Sequence, residues 1–509
     1  MKDCWLISEI QSYPSSKAVD VLVIGGGGAG LAAAIEAAVH GAQVLLIEKG
    51  PALGGSTGWS VGSFTASQTK YQMRRGIADS SDAHGEDLVE MNGCVRPESE
   101  PELRSFLVAN SPATLDWLQN LGVEFVGPFE EPPHRVARMH NVIPGSNAYV
   151  QRLELEARRL GVEILCNTSA LSLLCHDVSV CGANLFCEGR DFRLKAGAVI
   201  LTTGDLSANP NALGQALKNI GPGLASVNRL ATGDGHKIAM QVGAAISQDI
   251  IAKPTIRFVP TSSSPILRRM PTFPFLTKLM RLGFELLPMS VIRPLLLRFL
   301  GSVLQPHPAI FETGAILINR DGELFCDSPT KLATELTHQP EGLGYIIFDE
   351  KVTQHFSKWP HYLSTAPGLG YIYISDLCHY RPDVCRTADT IRGLASEIGI
   401  EPEKLDEAIG AHNQKQKLRG YGQILVPPFV ALGPVRSFLV LTDGGLKVDP
   451  QMRVKKTGGG IISGLFAAGA VGQGDLLLQG HGHHLAWAFT SGREAGAQAA
   501  DYALSKSDF

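Results

Sequence analysis

Residues 19–30, VDVLVIGGGGAG, with the acid that follows at Glu48, constrain this chain more than any other stretch. Val19, Val21, Val23 and Ile24 form an apolar, β-branched run that reads as a buried parallel strand. Glycines follow at once, residues 31–40 read as helix, and residues 42–47 read as a second strand. In that order the G-x-G-x-x-G spacing has a mechanism. Gly25 lets the chain turn sharply, Gly27 lets backbone approach a pyrophosphate, and Gly30 lets the helix pack close to the strand. Gly28 and Ala29 lie inside the same turn, where a diphosphate would rest on N–H groups at the helix start. Glu48 ends the second strand, placed to accept hydrogen bonds from a ribose 2′-hydroxyl. A glycine-rich turn in an ordinary βαβ unit would leave Glu48 unexplained, so the reading is dinucleotide binding.

Later stretches decide which dinucleotide. Residues 49–63, KGPALGGSTGWSVGS, put small residues and the hydroxyls of Ser56 and Thr57 directly after the ribose acid. Residues 198–204, AVILTTG, form a third apolar strand ending at Gly204, and residues 464–474, GLFAAGAVGQG, add a strand and glycines. With ATGDGHKIAMQVGA, GAILINRDGELF and TDGGLKVD, this order resembles the fumarate reductase and succinate dehydrogenase flavoprotein superfamily, including its 3-ketosteroid 1-dehydrogenase-like members. The resemblance covers most of the chain and implies FAD, with Lys49, Gly55, Asp234, Gly469, Ala470 and Leu485 joining the residues above around it. Gly55-Ser56-Thr57 stands where the succinate dehydrogenase branch carries a histidine, so the implied FAD is non-covalent. Asp234 opens a helix, where it either reaches the flavin or substrate or simply faces the helix dipole.

The implied fold class is α/β: a Rossmann-like FAD-binding domain, residues 1–249 and 429–509, with an inserted α+β substrate-capping domain, residues 250–428. A chain of 509 residues suits two domains, and a hydrophobic content of 44% with 18% charged residues is that of a globular protein. A net charge of −4 gives no sign of nucleic-acid binding. The nine cysteines include no C-x-x-C pair, and residues 1–10 lack a basic start and a long apolar run. Reduced thiols and a cytoplasmic location are the expectation. Cys175, Cys181 and Cys187 read as strand packing, and no metal site is expected. Residues 266–304 are the least family-like, with six Lys/Arg against one Glu among Leu, Met, Phe and Pro. No apolar run there is long enough to span a bilayer. The stretch reads either as a peripheral membrane contact or as a lid or subunit contact.

Family residues that clamp a dicarboxylate are largely replaced. A family arginine that donates a proton aligns with Phe311, and a family histidine aligns with Lys253. No arginine falls at 476–479, where a late clamp is expected. The ketosteroid branch instead pairs an apolar cavity with a tyrosine base. Tyr345, Tyr362, Tyr371, Tyr373, Tyr380 and Tyr421 are the candidates, above all Tyr362, Tyr371 and Tyr373. His481 and His484, with His483 between, open a closing helix aimed at the flavin and are candidates for substrate contact or proton relay. His134 and His140 read as surface or interdomain residues. The leading expectation is dehydrogenation or reduction of a C–C bond beside a carbonyl in an apolar, steroid- or terpenoid-like ketone, hydride passing to flavin N5 and the proton to Tyr or His. Two alternatives stand beside it. One is reduction of a small unsaturated acid held by Lys253 and Arg257; the other is a docked electron-transfer subunit. The sequence names no electron acceptor.

Overall fold

The computed structural model describes residues 18–93, 100–213, 219–259, 272–288, 291–292, 305–358, 360–366, 370–417 and 422–506. The strand Ala18–Ile24 is central because Val21, Leu22 and Val23 are wholly buried, and a strand apolar on both faces must be covered on both. It pairs in parallel with Val44–Ile47 on one side and Arg190–Leu201 on the other. Glu163–Leu165 extends the sheet beyond Val44–Ile47, and Ile461–Ala467 lies beside Arg190–Leu201, both in parallel. The carboxyl ends of these strands therefore gather at one edge, where an open α/β sheet offers its crevice. Thr168–His176 and Ser179–Cys187 form an antiparallel ribbon that continues into Arg190–Leu201. The sequence groups residues 162–166 with that ribbon. The helix Asn147–Arg159 instead returns them to the parallel edge, as a crossover connection does.

The helix Gly28–Val39 is alanine-rich, and the closing helix His483–Ser505 crosses it. A Cβ built at Gly492 would lie 2.4 Å from the Ala29 carbonyl oxygen, and one at Gly496 would lie 2.2 Å from that of Ala33. Only glycine permits this approach. Arg493 then reaches Glu36 at 2.6 Å and lies over the Trp117 ring.

A second sheet is centred on Phe429–Leu439, which pairs antiparallel with Thr255–Phe258, Leu343–Phe348 and Cys385–Ala388. Ile316–Asn319 flanks Leu343–Phe348, and Ala225–Ser226 joins Phe429–Leu439 in parallel. One face buries Phe258, Ile310, Leu317 and Phe348; the other buries Ile318, Leu394 and Leu405. The sequence boundary at 429 therefore shifts: 429–439 is the backbone of the second sheet, and the chain returns toward the first at Thr442–Asp443.

Two further expectations change. Cys378 and Cys385 are joined by a disulfide, because the helix Ile374–Tyr380 and the strand Cys385–Ala388 bring their Cα atoms to 5.0 Å; thiols are not reduced throughout. Residues 82–121, with acids early and Trp117-Leu118 on an apolar face, read in the sequence as one helix and form two, Ser81–Asn92 and Pro101–Asn120, and Pro101 begins the second because its fixed φ and missing N–H suit a first turn. No described helix is long and apolar enough to cross a membrane.

Gly496→Val should destabilise the fold by about 3 kcal/mol, at the upper end for an overpacked contact, since backbone rather than a yielding side chain opposes the new methyls. Urea unfolding followed by tryptophan fluorescence measures this; an unchanged midpoint would rule out the close crossing.

A candidate dinucleotide and substrate cavity

At the carboxyl ends of the parallel strands lies a cavity of about 760 Å³. Of the cofactor candidates, Gly25, Gly27, Gly28, Ala29, Glu48, Lys49, Gly55, Ser56, Thr57, Gly204, Asp234, Gly469, Ala470 and Leu485 line it. Gly30 does not; a Cβ there would lie 1.9 Å from the Gly25 carbonyl oxygen, so its part is to let the helix close onto the turn. Gly25 stands at φ +112, where L side chains are strained. A Cβ at Gly27 would meet nothing within 4 Å, leaving backbone open to the cavity.

Polar groups fix this end. Glu48 accepts hydrogen bonds from the backbone N–H groups of Gly26 at 2.8 Å and Gly50 at 2.7 Å, which aim its carboxylate. Thr57 Oγ1 accepts from Gly28 N–H at 3.1 Å, and Asn228 donates to Ser56 Oγ at 2.9 Å. Lys49 donates to Asp234 at 2.7 Å and to Thr232. Asp234 is thus both the first residue of the helix Asp234–Met240 and a cavity residue, and the two readings of it are compatible. The glycine-open backbone, the aimed carboxylate and the cavity they line fit FAD.

The other end is built where the two sheets meet. Ile251–Ala252 pairs antiparallel with Thr442–Asp443, Ile251 opposite Asp443 and Ala252 opposite Thr442. Beyond that pairing, Lys253, Thr255 and Arg257 line the cavity at alternate positions, while Ile256 and Phe258 face away into the second core. Arg257 Nε is buried without a hydrogen-bond partner among the described residues, and burial, with no carboxylate to counter it, pushes the guanidinium pKa down. From the segment that leads into the closing helix come Gln479, His481, Gly482 and His484. His484 Nε2 lies 3.3 Å from Asp443 Oδ1, and Asp443 is itself held by Gln473 at 2.7 Å and Gln479 at 3.0 Å. Asp205 also faces His484, its carboxyl pushed up by burial although Ser207 and Thr442 donate to it. His481 Nδ1 and backbone N–H both bind Glu131, the ring at 2.5 Å. Burial raises the Glu131 carboxyl, but the His481 bonds outweigh it and hold it low.

The three favoured tyrosines stand elsewhere. Tyr362 packs against Tyr371 and His307, and Tyr373 precedes the helix Ile374–Tyr380, its N–H bonded to Asp376. None of them lines the cavity, and Phe311 packs against the second core. Tyr421 lies outside the described residues. The residues sequence reasoning missed are Asp443 and Gln479, which sit in TDGG and LLLQG; the first was legible only as a strand returning to the sheet.

His134 and His140 are buried, contrary to a surface reading. His134 meets His84 and His483 with ring centroids 5.3 to 5.6 Å apart. This trio was not visible as a set, because its members lie far apart in sequence. Its spacing suits a metal, but the hydrogen bond made by His134 does not. Arg138, wholly buried and bound to Asp79 and Asp87, donates to His134 Nδ1 at 2.9 Å. That nitrogen must be the lone-pair one, so the ring proton sits on Nε2 and removes it as a ligand. His483 donates Nδ1–H to the Gln479 carbonyl at 2.7 Å, and the His84 and His483 Nε2 atoms share a proton across 3.2 Å. The trio is a neutral, packed cluster behind the cavity wall.

The family described as FAD binding domain matches residues 20–293 and 296–477. The fumarate reductase (cytochrome) of Shewanella frigidimarina is 27% identical over 508 residues, covering 95% of this chain and 77% of that protein. The vinyl phenol reductase of Lactiplantibacillus plantarum is 26% identical, covering 95% of this chain and 96% of that protein. Among solved structures, the open conformation of a flavocytochrome c3 fumarate reductase superposes with a TM-score of 0.71 at 23% identity, covering 99% of this chain and 82% of that one.

Burial holds His140 and His236 near pKa 4 and His483 near 3. In the unfolded chain each returns to about 6.5, so below that pH the unfolded state binds more protons. Stability is therefore complete above about pH 6.5 and is lost as pH falls toward the folded values, by about 2 kcal/mol per histidine at pH 5. Urea midpoints at pH 7 and pH 5 should differ in that sense, and His140→Asn should flatten the difference.

Proposed function

Because the chain belongs to the FAD binding domain family, within the fumarate reductase and succinate dehydrogenase flavoprotein superfamily, and is an FAD-dependent oxidoreductase, we propose that it reduces, or in reverse forms, a C–C double bond conjugated to a carboxylate. The observation that carries this reading is Arg257: a guanidinium in the cavity wall, its Nε buried and without a partner among the described residues. A buried cation without a counter-charge is costly, and a substrate carboxylate supplies both the charge and the hydrogen bonds it lacks. Lys253, which follows directly on Ile251–Ala252, lines the same cavity and adds a second cation to the clamp. Of the two features that suggested an apolar ketone, neither Phe311 nor the described part of the Leu-rich insert lines the cavity. The relatives above are named for fumarate and for vinyl phenol, so likeness at this level accompanies more than one alkene.

The bound FAD, held non-covalently, supplies the two-electron chemistry at the C–C bond. The chain does the rest. Lys253 and Arg257 hold the anionic end, fixing which carbon faces the dinucleotide domain. His484, oriented by Asp443, holds the proton exchanged at the substrate carbon. The second sheet serves as the inserted capping domain, bringing the clamp over the crevice and excluding water.

The test reduces the FAD-loaded protein anaerobically and follows flavin reoxidation by α,β-unsaturated acids, their methyl esters and a 3-ketosteroid panel. Acids should react about tenfold more efficiently than esters or better, as a charge-assisted hydrogen bond implies. Equal response to acid and ester, or response to ketosteroids alone, overturns the proposal. Arg257→Ala should raise KM about 10- to 100-fold with a smaller change in kcat. His484→Gln should lower kcat about 10²- to 10⁴-fold.

A further inference from the structure

From the cavity strand Thr255–Phe258 the chain runs into the stretch 266–304, of which 266–271, 289–290 and 293–304 lie outside the described residues. Its main described part is the helix Pro274–Leu286, which rests on the strands Glu124–Phe129 and Met139–Ile143. The inner face is fixed by the buried Thr277 and by Arg281, whose Nε lies 3.0 Å from Glu124. With about 100° per residue, Phe275, Leu279, Leu282 and Leu286 fall within about 60° of one another, opposite Thr277. They are 80%, 53%, 46% and 72% exposed. Phe273, Leu287 and Val291 continue the apolar surface at the ends.

This inverts the usual arrangement, in which a surface helix turns its polar face to water. A lone exposed leucine is ordinary, but four in line with three more at the ends form one patch, and such patches mark interaction sites. Charge selects the occupant. The stretch 266–304 carries six Lys/Arg and one Glu in a chain whose net charge is −4, so it opposes the sign of the remainder. Apolar side chains on the outer face of a helix within a basic stretch match the interface of an anionic bilayer, with leucines at the acyl boundary and the exposed Lys278 among the headgroups, Arg281 being paired with Glu124 and Glu285. We propose that the outer face of Pro274–Leu286 seats the protein on an anionic lipid surface. This rests on the helix and not on the cavity, so it stands or falls apart from the substrate reading.

The test is co-sedimentation of the full-length, FAD-loaded protein with vesicles of phosphatidylcholine alone or mixed with phosphatidylglycerol. Binding to the mixed vesicles should exceed binding to phosphatidylcholine by about tenfold and weaken as salt screens the headgroups. The double variant Phe275→Glu, Leu282→Glu should lower binding to the mixed vesicles about tenfold or more while leaving the thermal midpoint and flavin absorbance unchanged, since neither side chain is buried. Lys278→Glu should weaken binding to the mixed vesicles only. No sedimentation with either vesicle overturns the proposal, as does equal binding by the double variant. A wild-type dimer that ignores vesicles, and that the double variant converts to monomer in size-exclusion chromatography, also overturns it and assigns the face to a second copy.

Discussion

Backbone pressed against backbone at a few glycines is the contact on which the rest of this molecule depends. The helix Gly28–Val39 can start at the end of a buried strand only because Gly30 brings it against the Gly25 carbonyl. The closing helix can lie across it only because Gly492 and Gly496 accept the Ala29 and Ala33 carbonyls. With that crossing in place, the start of His483–Ser505 comes to the crevice, and His484 with it. Gly469 takes part as well: its N–H bonds Ser491 and its carbonyl receives the Trp487 indole, both from the closing helix. The cavity is thus a by-product of close packing around the parallel strands, not of a flexible loop folding inward.

Two arginines show how differently one residue type can be buried. Arg138 is wholly enclosed and satisfied by Asp79 and Asp87, and a charge so paired serves rigidity. Burial lowers the guanidinium pKa in principle, but those carboxylates raise it overall. Arg257 lies in the cavity wall with burial acting alone. The first is a finished piece of structure; the second is half of an interaction.

Much of the dinucleotide end was legible in the chain because its signals are local. Strand, glycines, helix, strand and Glu48 follow one another within residues 18–48, and each glycine answers a backbone requirement that other residues fail. The other end of the cavity was less legible because its geometry is assembled from distant segments. Nothing near Tyr362 or Tyr371 states that they pack on each other instead of facing the cavity. Nothing near His84 or His134 states that His483 will meet them. The shift of 429–439 into the second sheet has the same origin, since an apolar strand reads alike whichever sheet receives it. His481 and His484 were found because a helix start is itself a local signal.

The short pairing of Ile251–Ala252 with Thr442–Asp443 carries one more consequence. Lys253 follows directly on one of these strands and Asp443, the partner of His484, sits on the other. On the proposed reading, the group that holds the anionic end and the partner of the group that holds the proton are therefore spaced by backbone hydrogen bonds. On that reading, the pairing of Ile251–Ala252 with Thr442–Asp443 sets the length of substrate that the cavity accepts.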